Sequence, residues 1–488
     1  MGTLDGWLVR VALAEMSGPV VRLGLVAALA GCATNPVTGK SELSLVSESQ
    51  EIQMGQQAAA EVRQSSGVVN DPALAEYVRR VGLEIAKQTE RPNLPWSFDV
   101  VDDPAVNAFA LPGGPIFVTR GILGHMESEA ELAAVLGHEI GHVTARHSVQ
   151  QISRQQIAQG LLGIGSILSS DVAAVAGIAS QGLGLLFLKY SRDAESQADE
   201  LGFRYALKDG YDVRAMRSMF EMLERVSATG GSGKLPQWLS THPDPENRIV
   251  KTDQRLAAVT VDLSKAKTNR DQFIQHLDGL TFGDDPRQGF FEGSRFNHPD
   301  MAFRLDFPQG WTTQNQASAV IAVSQGQDAM VALSLAGKDD PATSLGKFLG
   351  QQGIQAGATS AAPINAFPAA AGEFQAQTQN GVVAGRIAFL AYGGSTFQLL
   401  GYAPAQSYPT YRAVIDQTIR SFNRLTDPAA LARQPARIKL VRLSRDMTVD
   451  QFNRQYPSVV PVATVAIING VGAATDVLKG GSWAKRVQ

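Results

Sequence analysis

"AAVLGHEIGHVTARH", residues 133–147, decides how this chain is read. It contains His138-Glu139-Ile140-Gly141-His142, the pattern H-E-x-x-H. Val135, Leu136, Ile140 and Val143 recur at helical spacing, so the stretch predicts a helix over 128–150 with a buried face. On a helix, positions i and i+4 stand about 40° apart, so both imidazoles face one way. Two such nitrogens can grip one Zn2+ at about 2.0–2.1 Å, and Glu139 between them can take a proton from water that the metal acidifies. Gly137 and Gly141 read as leaving the surface beside the metal open. His147 falls on a different face and reads as a capping or structural histidine.

A catalytic zinc takes three protein ligands and keeps one position open. "SRDAESQADELG", residues 191–202, is the best source of the third. Glu195 and Asp199 share a helix face at i, i+4. One can ligate, and the other can accept a hydrogen bond from a liganding imidazole and set its tautomer. Asp193 and Glu200 point elsewhere and read as solvated. "THPDPENRI", residues 241–249, adds His242 and Arg248, whose spacing alone is weak evidence of a role. Upstream, "WSFDVVDD" and "PIFVTRGIL" read as strands, joined by "NAFALPGG", residues 107–114, with a turn at Pro112-Gly113-Gly114. An extended segment beside the histidine helix can pair with substrate backbone, with Asn107 and Ala108 as the expected contacts.

"HEIGHVTARH" followed by "SRDAESQADELG" resembles the M48 metallopeptidases, both the membrane-embedded prenyl-protein-processing type and its periplasmic relatives. "TNPVTGKSELSLVSESQE", "NAFALPGGPIFVTRGIL" and "STHPDPENRI" extend the likeness over roughly residues 33–255. The resemblance implies a mainly helical zincin-type domain with a small sheet and one Zn2+ per chain. It implies His138, His142 and Glu195 as ligands, Glu139 as catalytic base, and Asp199 as hydrogen-bond partner of a ligand. It makes His242 a donor to the tetrahedral oxyanion or a switchable fourth ligand. Arg248 would orient His242 or pair with a carboxylate. The family often has Glu where Gln197 stands and a polar residue where Pro115 stands.

The 488 residues suggest two to four domains, and a formal charge of −3 gives no basic field for nucleic acid. The single cysteine, Cys32, excludes an intramolecular disulfide. It ends "VVRLGLVAALAGC", residues 20–32: an arginine, a short apolar run, and small residues, as in an export signal. Leu29-Ala30-Gly31-Cys32 resembles a bacterial lipobox, which implies lipidation of Cys32 and removal of residues 1–31. Ala33 after the cysteine favours the outer membrane. Met16 is an alternative start. Residues 155–189 are apolar and read as a buried or membrane-facing helical hairpin.

The first domain is expected over 32–285. Ser47 with Gln50 predicts a capping box, and Asp71-Pro72 opens another helix with Leu74, Tyr77, Val78, Val81 and Ile85 inward. Residues 290–426 alternate strands and helices as an α+β sandwich. "HPDMAFRLDFPQGW" resembles the opening of PsbP-like domains. Residues 437–488 read as strand, helix from Thr448, second helix, strand. "TVDQFNRQY" and "VAIING" there resemble a LysM module, which implies binding to peptidoglycan. The whole chain is expected to be α+β and multidomain.

Together these imply a lipid-anchored endopeptidase on the periplasmic side of the cell envelope, acting on unfolded or misassembled envelope proteins. One rival is a binding or chaperone-like factor whose latent zinc is capped by His242. Another is a zinc amidase acting on peptidoglycan, against which "NAFALPGG" favours a peptide.

Overall fold

The computed structural model describes residues 32–161, 190–229, 237–243, 245–316, 318–378 and 381–488. The export segment before Cys32 and the part of the apolar stretch from 162 to 189 lie outside the described residues. No helix among the described residues is long and apolar enough to cross a membrane. The backbone at Cys32–Thr34 pairs antiparallel with Ser41–Leu43 in a short ribbon.

The first unit packs helices around a three-stranded sheet. Ser97–Val101 runs parallel to the central strand Pro115–Thr119, and Ala108–Ala110 pairs antiparallel on its other side as an edge. Helix Glu48–Ser66 starts with the expected Ser47–Gln50 capping box, and Pro72–Ala86 is capped by Asp71. Leu74, Tyr77, Val78, Val81 and Ile85 are all buried. The hairpin turn runs through Gly113 at φ +74°, where an added Cβ would stand 2.6 Å from the Ile52 Cα.

Three local expectations are corrected. The strand expected through Leu123 stops at Thr119, whose hydroxyl accepts the Ile122 N–H and starts helix Arg120–His125. The helix expected over 128–150 is two helices, Glu129–Thr144 and His147–Leu161. Arg146 separates them at φ +59°, held by Glu51 (2.8 Å) and the Val46 carbonyl (2.9 Å). Gly137 and Gly141 do not leave open surface. Added Cβ atoms there would meet Gly202 O at 3.0 Å and Ala198 O at 2.9 Å. The missing side chains let helix Arg192–Lys208 lie directly on helix Glu129–Thr144, which is buried along its whole length. Such a helix belongs at the centre of a unit, not at its surface.

The second unit is a seven-stranded antiparallel sheet and a four-stranded sheet. Alternation along the long strands serves two cores. Ala369, Ala371, Ala388 and Leu390 face Ile415 and Phe422, while Ala370, Phe374, Ile387 and Phe389 face Leu345 and Phe348. Helix Tyr408–Ser421 therefore covers one face and helix Pro341–Leu349 the other.

At the C-terminus, Ile438–Arg442 pairs antiparallel with Trp483–Val487, and helices Val449–Gln455 and Val462–Ile468 lie between them in sequence. A small core forms around Met447, Phe452, Val465 and Leu478. Ile438 and Ile467, however, belong to the core of the first unit. Lys485, on the last strand, is fully buried. Its Nζ donates to Met126 O (2.5 Å) and pairs with Glu127 (3.1 Å), just before the histidine helix.

Candidate metal centre

The histidine helix begins at the Ser128 cap, and near its end Arg91 donates to Val143 O (2.9 Å) while pairing with Glu51. Held at both ends, it presents His138 and His142 to helix Arg192–Lys208. His138, His142, Glu195 and His242 offer ligand atoms that all lie within 4.8 Å of one another, and all four residues are buried. The two Nε2 atoms of His138 and His142 stand 3.0 Å apart, and His142 Nε2 lies 3.5 Å from Glu195 Oε1. His242 approaches through Nδ1, 2.9 Å from Glu195 Oε1 and 3.3 Å from His138 Nε2.

This donor set fits zinc. Lone pairs aimed at one another in a dry pocket repel, and a dication among them turns that repulsion into ligation. Burial, reinforced by the surrounding imidazoles and Arg248, pushes His142 well below its ordinary range, so it is neutral and able to ligate. Burial opposes ionisation of Glu195, but His242, His138 and Arg248 outweigh it and lower its pKa. Glu195 Oε2 is buried without a hydrogen bond, its nearest guanidinium nitrogen being Arg248 Nη1 at 3.3 Å. One ion per chain is accommodated.

Asp199 lies behind His138. Its Oδ1 accepts from His138 Nδ1 at 2.9 Å, which leaves His138 Nε2 free for metal. Arg248 grips both Asp199 oxygens, Nη2 to Oδ1 at 2.6 Å and Nε to Oδ2 at 2.9 Å. Burial would raise the Asp199 pKa, but Arg248 and His138 hold it well below the usual carboxylate range. Arg248 is sandwiched 4.4 Å from the Phe220 ring and 4.5 Å from the Trp238 ring. It therefore positions Asp199 and Glu195 rather than acting on substrate.

Glu139 is 1% exposed. Its Oε1 accepts the Trp238 indole N–H at 3.2 Å and lies 3.6 Å from His242 Nε2. Burial lowers the His242 pKa, but Glu195 and Glu139 outweigh it, and the net shift is upward.

The expectation for Asn107 is corrected. Its carbonyl accepts from Thr119 N (3.1 Å) and its N–H bonds Thr119 Oγ1 (3.2 Å), so both backbone groups face the sheet. By antiparallel alternation, the outward backbone groups of this edge belong to Val106, Ala108 and Ala110. The Val106 carbonyl is taken by Trp238 N at 3.2 Å. Trp238 is thus the residue that sequence reasoning missed. It covers the edge strand, touches the base and stacks on His242 at 4.7 Å. Nothing in its local sequence marks it. His147, expected to be a capping or structural histidine, is not among the four donors and sits 2.9 Å from His142.

Residues 72–256 match peptidase family M48. Over 230 residues the chain is 31% identical to the beta-barrel assembly-enhancing protease of Escherichia coli (strain K12), covering 46% of this chain and 47% of that protein. Over 229 residues it is 33% identical to the mitochondrial metalloendopeptidase OMA1 of Schizosaccharomyces pombe, covering 46% of this chain and 67% of that one. The chain thus spans about half the length of the bacterial relative. Among solved structures, cyanobacterial PsbP from Synechocystis sp. PCC 6803 covers 28% of this chain and 95% of its own, at 15% identity and a TM-score of 0.23. With the H-E-x-x-H helix, the Glu195 helix and the His242 segment assembled as above, the chain belongs to peptidase family M48.

Proposed function

We propose that this protein is a zinc-dependent endopeptidase that cleaves unfolded or misassembled proteins of a bacterial cell envelope. The observation that carries the reading is Glu139, buried beside three imidazoles and a carboxylate within reach of one ion. His138, His142 and Glu195 would hold the metal. When bound, zinc supplies Lewis-acid polarisation of the scissile carbonyl and acidifies water. Glu139 takes the proton from the attacking water and delivers it to the leaving amine. Once Trp238 withdraws from it, the outward backbone of Ala108 and Ala110, buried in this structure, would offer an edge on which an extended peptide can add as a strand, a recognition mode tolerant of sequence. The Escherichia coli relative is named a beta-barrel assembly-enhancing protease, and that likeness supports misassembled proteins as the substrates of this reading. Lipidation at Cys32, an outer-membrane anchor on the periplasmic side, and peptidoglycan contact through 437–488 are parts of the same proposal.

A second reading concerns latency and is favoured by His242. Four protein donors would leave zinc no open position. In this state His242 caps the site and Trp238 occupies the edge strand, and the protein acts as a binding factor until segment 237–243 withdraws.

The test is cleavage of an unfolded protein by the zinc-loaded chain, Glu139→Gln and His242→Ala. Cleavage by wild type and its loss in Glu139→Gln, with zinc retained, supports the peptidase. Faster cleavage by His242→Ala supports the cap, whereas slower cleavage makes His242 an oxyanion donor. If all three bind zinc and none cleaves, the peptidase reading fails.

A further inference from the structure

Beyond the four metal donors, two side chains form a chain behind His142 that no ligand role accounts for. The Arg146 turn folds His147 back beneath the histidine helix. His147 is 3% exposed, and its Nδ1 lies 2.9 Å from His142 Nδ1. Its Nε2 lies 2.9 Å from Gln197 Oε1, on the helix that carries Glu195 and Asp199. Tyr190 stacks on the His142 ring at 4.1 Å and bonds Ser148 (2.8 Å), fixing the ring plane.

We infer that His147 and Gln197 are positioning residues that set the tautomer of His142, and through it the polarity of the metal site. The inference rests on the zinc reading above. A carbonyl oxygen only accepts, so Gln197 Oε1 takes the proton of His147 Nε2. A neutral imidazole then accepts at its other nitrogen, so His147 Nδ1 receives the His142 Nδ1–H. His142 Nε2 is left as a lone pair facing His138 Nε2 and Glu195. Reversing the chain would put a proton on His142 Nε2, where the metal belongs. His142 thereby obtains from a histidine and an amide what His138 obtains from Asp199.

The test uses the full chain. Zinc affinity is measured by competition with a chromophoric chelator, and histidine tautomers are read from ring 15N shifts of the zinc-loaded protein. Wild type shows His142 protonated at Nδ1 and His147 at Nε2. Gln197→Met at the half-buried end of the relay leaves the helix intact and lowers zinc affinity about 10–100-fold, the usual loss when a ligand's hydrogen-bond partner goes. Gln197→Glu, which can only accept, keeps the affinity. His147→Asn retains an acceptor near the Nδ1 position and keeps more affinity than His147→Ala. Wild-type failure to bind zinc would overturn the site itself. Tight zinc binding by wild type, Gln197→Met and His147→Ala alike, or a His147 Nδ1–H in the spectrum, would overturn the relay alone.

Discussion

Lys485→Met tests whether the C-terminal module is a structural part of the metal-binding unit. The Lys485 ammonium is fully buried and makes contacts with Met126 O at 2.5 Å, Glu127 Oε1 at 3.1 Å and Gly124 O at 3.4 Å. Methionine preserves most of the aliphatic stem. It leaves two carbonyls short of a donor and Glu127 with Arg270 as its remaining ion-pair partner at 2.5 Å. Breaking one side of a buried ion pair costs about 3–5 kcal/mol. Because Arg270 keeps Glu127 half neutralised, the low end applies, about 3 kcal/mol. In urea that is a fall of about 1 M in the midpoint of the transition that unfolds the histidine-helix unit. Glu127→Gln in the same chain should recover part of the loss, since the uncompensated carboxylate is then absent. The assay is urea unfolding of the full chain. If the single variant lies within about 0.5 kcal/mol of wild type, or the two changes are additive, the buried ammonium does not anchor the module and the reasoning is wrong.

Other outcomes follow from the same geometry. Burial, with Glu127 adding to it, raises the Glu131 pKa from 4.5 to about 7 despite its backbone hydrogen bond, so the folded state holds this proton where the unfolded chain has lost it. Stability from Glu131 is therefore greatest below about pH 4.5, falls as pH rises to about 7 and is level beyond, by up to about 3 kcal/mol. Glu131→Gln should flatten that part of the pH–stability curve, and an unchanged slope in thermal melts between pH 4.5 and 7 would contradict it. Asp199→Ala removes the acceptor of His138 and both oxygens that Arg248 grips. Zinc affinity should fall about 10–100-fold in chelator competition, and retained affinity would show that His138 needs no such partner.

Much of the site was legible because its chemistry is local in sequence. H-E-x-x-H places two imidazoles and a carboxylate by helical spacing alone, and E-x-x-x-D does the same for Glu195 and Asp199. Ser47, Asp71 and Thr448 announced helix starts, because a cap bonds backbone only two or three residues away. The less legible features depend on distant partners. Arg146 adopts φ +59° because Glu51 and Val46 hold its side chain, and no neighbouring residue carries that information. Lys485 is buried against Glu127 and against Met126 O, a partner 359 residues away in sequence.

By itself, then, the sequence determined which residues can bind a metal and move a proton, since those depend on residue type and on one helical turn of spacing. It also determined the α+β character of the chain through the change of hydrophobic period from one segment to the next. Only the tertiary structure decided how these groups are used. Gly137, Gly141 and Gly202 bring two helices close enough for Glu195 to meet the imidazoles. The Arg146 turn puts His147 behind His142. The segment after residue 236 puts Trp238 on Glu139 and His242 on Glu195. The physical reason is the same in each case. A buried polar group takes its role from the partner that satisfies it, and here that partner comes from a distant part of the chain or from beyond a backbone turn that distant side chains hold.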